Sequence, residues 1–152
     1  MVKIMINTEV LNMHRACLLH SQMDRNLRLI ATRHLEEFGL TMMQWLLLEE
    51  VCKNSRKGLT MSESADILGV TLPQVTALTN ELIKTRMLKQ KVSTKDRRSR
   101  RLSCTVTGKR TIAKIEANMN HAVNEWLKNI PPEQLSGYMR TVETLAVKPS
   151  KT

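Results

Sequence analysis

The sequence predicts a mainly α-helical fold interrupted by one small β-hairpin. Apolar residues recur every three or four positions over most of the 152 residues, as in helices that bury one face. The period shortens to two only around residues 88–92 and 102–106, which is the spacing of half-buried strands. Five Gly and four Pro over this length leave little room for the dense turns of an all-β fold. Aromatic content is only 3%, and ten Met partly replace it as adaptable packing material. A chain of this size supports one compact domain, or two small lobes that share helices.

The elements follow in order. From about Val10 to Phe38 the chain reads as one long helix, with Met13, Ala16, His20, Met23, Leu27 and Ile30 on one face. Gly39 supplies its C-terminal stop. Thr41 caps a second helix whose Met42, Met43, Trp45, Leu46, Leu47, Leu48, Val51 and Cys52 are apolar nearly all round, so it belongs in the middle of a core. Lys53 to Gly58 is a polar loop. Thr60 or Ser62 caps a third helix, and Glu63 stands where a capping box needs it relative to Thr60. Gly69 ends that helix. Thr71 caps the next, Pro73 is tolerated in its first turn, and Val75, Leu78 and Leu82 form its apolar face. Leu88, Gln90 and Val92 then alternate with Lys89, Lys91 and Ser93, and Leu102, Cys104 and Val106 alternate with Arg101, Ser103 and Thr105. The connection between these two strands is too long and too charged for a tight turn, and so projects into solvent. The helical period returns through Ile112, Ile115, Met119, Ala122 and Trp126, and Pro131-Pro132 opens a last helix with Leu135, Tyr138, Val142 and Leu145. The tail from Lys148 is expected to fray.

Between Lys84 and Lys114 stand twelve Lys or Arg and one acid, Asp96, which places about +11 of charge in 31 positions of a chain whose total is +10. Charge this local points to a polyanionic partner. A membrane surface would call for a basic amphipathic helix, whereas this charge peaks in a loop. RNA modules interleave aromatics with basic residues, and no Phe, Tyr or Trp lies between Trp45 and Trp126. Immediately before the basic segment, Ala65, Gly69, Val75 and Leu78 follow one another at offsets of four, six and three. These are the small residue, turn glycine and locking apolar residues of a helix-turn-helix, whose second helix enters the major groove. Helix, turn, helix, strand, basic loop, strand is the order of a winged helix, and double-stranded DNA is the partner it implies.

At these residues the sequence resembles the multiple-antibiotic-resistance regulator (MarR) family. The resemblance rests on Val75-Thr76-Ala77-Leu78-Thr79-Asn80-Glu81-Leu82, on Asp96-Arg97-Arg98, and on Leu102-Ser103-Cys104-Thr105-Val106-Thr107-Gly108. The last stretch is similar to that family's wing strand running into the Thr-x-x-Gly of its fifth helix. The similarity of helix order extends from Val10 to Val147. The resemblance implies a homodimeric transcription regulator reading a pseudo-palindromic operator, with a helical dimerisation lobe formed by residues 1–40 and 107–152 and a winged helix-turn-helix DNA-binding lobe at 41–106. The chain departs from the family pattern at Ala77, often Arg in the family, at Glu81, where a basic residue is common, and at Arg86, which stands where Gly is usual.

By face, Gln74, Thr76 and Asn80 are candidates for hydrogen bonds to base edges or phosphate, and Thr71 and Ser62 near helix N-termini for phosphate contacts. Lys84 closes the recognition helix. Lys95, Arg97, Arg98 and Arg100 are expected to track the backbone; the family resemblance places Arg97 or Arg98 in the minor groove and gives Asp96 the role of bracing a neighbouring Arg. Also by resemblance, a small-molecule effector would bind near His20, Met42 and Trp45, against the plainer reading of all three as core or interface residues. The family resemblance also makes Cys17 a candidate redox sensor, with His14 and His20 beside it, against the plainer reading of a buried inert thiol. Cys17, Cys52 and Cys104 form no C-x-x-C pair, and an odd scattered set argues against a disulfide framework and for a reducing compartment. No secretory signal and no stretch of 18 uninterrupted apolar residues are found, so a cytoplasmic protein without a membrane span is expected. His14, His20, His34 and His121 form no metal-binding pair, and no phosphate-binding glycine loop or nucleophile elbow is present, so neither catalysis nor a cofactor or metal is expected. The alternative to DNA binding is a winged-helix interaction module whose basic wing contacts an acidic protein.

Overall fold

The computed structural model describes residues 12–92 and 100–147. The strand connection with Lys95, Asp96, Arg97 and Arg98, the segment before Asn12, and the tail from Lys148 lie outside the described residues. The elements run α1 (Met13–Leu35), a 3-10 turn (Glu36–Phe38), α2 (Met42–Lys53), α3 (Met61–Leu68), α4 (Leu72–Lys84), β1 (Leu88–Val92), β2 (Arg100–Cys104), α5 (Val106–Leu127) and α6 (Pro132–Ala146). The mainly helical expectation with one antiparallel hairpin holds. By contacts the chain divides into two units, Met1–Met119 and Asn120–Thr152.

The helix starts are built by side chains that satisfy otherwise unpaired backbone N–H groups. Asn12 Oδ1 accepts from the Arg15 N–H at 3.0 Å. Thr41 with Gln44, and Thr60 with Glu63, form reciprocal capping boxes. The cap of α3 is therefore Thr60, and Ser62 falls inside the first turn.

Three helical segments end alike. Gly39, Gly69 and Arg86 all adopt left-handed backbone, with φ of 63°, 65° and 60°. Around Gly69, Val70 N–H donates to Ala65 O and Gly69 N–H to Asp66 O. Around Arg86, Met87 N–H donates to Leu82 O at 2.8 Å and Arg86 N–H to Ile83 O at 2.9 Å. Both are Schellman closures. At the end of α4 the position that favours glycine is occupied by arginine, so the departure from the family pattern leaves the turn intact.

The core of the first unit gathers Leu35 of α1, Leu47, Leu48 and Val51 of α2, Leu82 of α4, Leu88 of β1, Leu102 of β2 and Ile112 and Ile115 of α5. The expected position of α2 at the centre is observed: Leu47, Leu48 and Val51 are fully buried. Gly108 lets the start of α5 close on the hairpin, since a Cβ there would collide with the Met87 carbonyl.

Three expectations are corrected. β1 is not half-buried: Leu88 alone is covered, and Gln90 and Val92 are exposed because the hairpin extends beyond the helices that could cover it. Val106 belongs to α5 rather than to β2, its preceding residue Thr105 being the point where Thr105 Oγ1 accepts from the Gly108 N–H at 3.0 Å. The cysteines are not all unpaired. Cys52 of α2 and Cys104 of β2 form a disulfide across a sequence separation of 52, with Cα atoms 5.0 Å apart, and Cys17 is free and exposed. Spacing rules detect local pairs, whereas this pair is brought together by the packing of α2 on the hairpin. The inference of a reducing compartment from unpaired thiols falls with it.

Candidate nucleic-acid interface

α3 and α4 are joined by a turn through Gly69 and Val70. Ala65 is small and buried where the helices meet, and Val75 and Leu82 are fully buried, so α4 is locked by one face. Thr79 is also fully covered, its hydroxyl directed to Met61 Sδ of α3 at 3.5 Å. The opposite side of α4 is open. Leu72, Pro73, Gln74, Thr76, Ala77, Asn80, Glu81 and Lys84 are all exposed.

The hydrogen bonds sort the expected contact residues. Gln74 Oε1 accepts from the Thr71 N–H at 2.9 Å and from the Thr71 hydroxyl at 2.8 Å, so these two side chains are engaged with each other at the helix start. The Thr76 hydroxyl donates to Leu72 O at 2.9 Å, which commits its proton to an internal bond and leaves its oxygen as an acceptor. The Asn80 side chain makes no hydrogen bond among the described residues. Ser62 is exposed in the first turn of α3, and Lys84 is exposed at the end of α4.

The hairpin pairs Leu88 with Cys104 through Val92 with Arg100 in antiparallel register. Leu59 adds a single bridge on the outer side of β2, with Leu102 N–H donating to Leu59 O at 2.6 Å. Lys89, Lys91 and Arg100 are exposed along the hairpin. Arg101 differs from its neighbours. Its guanidinium donates to Gly58 O at 3.0 Å and to Glu63 Oε2 at 3.2 Å, tying β2 to the loop before α3. Glu63 is held below the usual carboxylate range, first by the Thr60 backbone N–H, with smaller contributions from the Thr60 side chain and the positive charges of Arg101 and Lys57. Sequence reasoning found the cap of Glu63 and missed its partner, because a pairing 38 residues apart leaves no spacing signal.

The residues considered for sensing are dispersed. Cys17, His14 and His20 are exposed on α1; the reading of Cys17 as buried is corrected, because α1 buries only Ala31 and Leu35. Met42 and Trp45 are half-buried against the core. Trp45 Nε1 and Glu49 Oε2, one turn apart on α2, are buried without a hydrogen-bond partner, while Glu49 Oε1 meets Lys53 Nζ at 2.9 Å. Glu49 was not singled out from sequence; only its placement one turn from Trp45 could have drawn attention to it.

A helix-turn-helix followed by a two-stranded basic hairpin, with the exposed side of its second helix left open, defines the winged helix-turn-helix class of DNA-binding fold. Residues 38–99 match the model of the MarR family. The fold of the whole chain is that of MarR-family transcription regulators. It is similar to CouR of Rhodococcus jostii RHA1, solved bound to p-coumaroyl-CoA, with a TM-score of 0.79 at 19% identity over 88% of this chain and 93% of that one. A MarR-family transcriptional regulator from Rhodococcus sp. RHA1 superposes with a TM-score of 0.81 at 18% identity, over 91% and 96%. MepR of Staphylococcus aureus in complex with DNA gives 0.73 at 18%, over 84% and 91%. Among curated proteins no sequence matches the chain.

Proposed function

We propose that the protein is a homodimeric, sequence-specific DNA-binding regulator of transcription, working in the cytoplasm as a repressor that a small-molecule or redox signal releases from a pseudo-palindromic operator. The observation that carries this reading is the open face of α4 beside a hairpin whose Lys89, Lys91 and Arg100 are exposed. Such a surface offers a groove-reading helix and backbone-neutralising cations side by side. The MepR structure with DNA supports it from a shared fold. A cytoplasmic setting follows from where the operator would be, and no helix among the described residues is long and apolar enough to cross a membrane.

Dimerisation through residues 1–40 and 107–152 is supported by apolar side chains left in solvent. On α1 these are Met13, Leu18, Leu19, Leu27 and Leu29; on α5, α6 and the adjoining residues they include Trp126, Ile130, Met139, Leu145 and Val147. α6 buries no residue in the single chain. Exposed apolar surface on this scale marks a partner, and a two-fold pair is the economical one. Release by an effector is supported by the ligand in CouR and by the unpaired polar atoms of Trp45 and Glu49, which suit a small molecule carrying a hydroxyl. Exposed Cys17 is the candidate for a redox signal.

Selection of bound duplexes from a random pool tests the reading: a recovered pseudo-palindrome supports dimeric, sequence-specific binding. If the wing neutralises about six to ten phosphates, log affinity falls with log salt at a slope near −0.9 per contact. Equal, weak binding to DNA and to any acidic polymer would instead favour the protein-interaction reading of the basic wing.

A further inference from the structure

The exposed side of α4 has an unusual chemistry for a helix that enters a groove. Over Leu72–Lys84 its charged residues are Glu81 and Lys84, which cancel, and it has no Arg. Its N-terminal half, the part of a recognition helix that reaches base edges, exposes Leu72, Pro73, Thr76 and Ala77. Leu72 is 48% exposed. Thr76 has its hydroxyl proton committed to Leu72 O, so it offers a ligand its methyl and an acceptor oxygen but no donor. Gln74 has its amide oxygen engaged by Thr71, which leaves only its NH2 group to meet a base. The amide of Asn80 follows one turn after Thr76 on the same ridge, since residues four apart are neighbours on a helix surface.

Carbon surface can recognise one group in the major groove, the C5-methyl of thymine, and an exposed amide is suited to the N6 and N7 edge of adenine. Resting on the DNA-binding reading above, we infer that α4 reads A·T pairs: Leu72, Thr76 and Ala77 pack against thymine methyls and Asn80 pairs with adenine, with no bidentate guanine contact from an Arg or Lys in the entering half of this helix. Guanine would be read through bidentate Arg or Lys, and Lys84 at the last turn lies at the far end from the entering half. The half-site core is therefore a run of A·T pairs, and discrimination there depends on methyl groups rather than on charge.

The experiment uses the full chain and the duplex it selects from a random pool, with each thymine of a half-site replaced in turn by deoxyuridine. This removes one methyl from the DNA and leaves the protein untouched. Removing a buried methyl is expected to weaken binding about fourfold at one or more thymines per half-site. In Ala77→Gly, or in Leu72→Ala, the thymine-to-uracil ratio at one of those positions falls from about four towards one. Asn80→Ala is expected to lose about tenfold of discrimination at one adenine, and Ala77→Arg to acquire a guanine preference next to it. An enriched site whose thymines all tolerate uracil overturns the inference and leaves DNA recognition standing. So does a G·C-rich half-site core. Failure to enrich any duplex overturns both.

Discussion

Arg86 shows how much a single residue can carry against its own preference. Its φ of 60° matches those of Gly39 and Gly69 in equivalent helix closures, but a side chain in left-handed backbone costs about 1–2 kcal/mol. Arg86→Gly is therefore expected to stabilise the protein by about 1 kcal/mol after allowing for the greater freedom of glycine in the unfolded chain, read as a higher midpoint in urea. Two adjacent arginines divide in the same way between structure and binding. Arg101 is held by Gly58 O and Glu63, whereas Arg100 is exposed at the end of the hairpin. Arg101→Ala is expected to lower stability by about 1 kcal/mol, the half-exposed setting reducing the value of a charged hydrogen bond. Arg100→Ala should leave the melting temperature unchanged and reduce the salt slope of DNA binding by about 0.9.

At the scale of elements, the start of α3 and the hairpin are coupled through Glu63. Because its carboxyl is held below the ordinary value of 4.5 in the folded chain, the unfolded chain binds more protons just below that pH. Stability from this group is present above pH 4.5 and is lost as pH falls through the depressed folded value. Glu63→Gln is accordingly expected to flatten the acid limb of a melting-temperature profile below about pH 5, and an unchanged acid limb would show that other carboxylates govern it. The disulfide couples α2 to β2 across a separation of 52 residues. A loop of that length is worth about 4 kcal/mol in the chain-entropy account. Reductant is expected to lower the unfolding midpoint of the native chain and to leave the double variant Cys52→Ser with Cys104→Ser unaffected.

For the molecule as a whole, the exposed apolar residues of the single chain are the feature to be accounted for. Leu19 is 52% and Leu145 66% exposed, and neither contributes to the core around α2. If a second copy covers them, sedimentation equilibrium of the native chain gives a two-chain mass. Leu19→Lys combined with Leu145→Lys then gives a folded single chain that no longer prefers a pseudo-palindrome to an isolated half-site. A native chain that sediments as a monomer at micromolar concentration and still selects a palindrome would count against the arrangement.

Most of the element order was legible without coordinates because it depends on local chemistry. Helical periods, the capping box of Thr60 and Glu63, the stop at Gly69 and the switch to period two at Leu88 are all set by residues within a few positions of one another. The charge concentrated between Lys84 and Lys114 was equally plain, since Coulombic character is carried by residue type alone. Distant partners were not legible. The Cys52–Cys104 bond, the Arg101–Glu63 brace, the exposure of Cys17 and the bare outer face of β1 follow from which elements pack together. Nor could residue type show that Gln74 and Thr76 bond within their own helix, so the face available for bases differs from the one their chemistry suggests. The sequence therefore determines the elements and the partner's sign of charge, because both arise from neighbours in the chain; packing determines which side chains are left free to meet that partner, because it alone sets burial and long-range pairing.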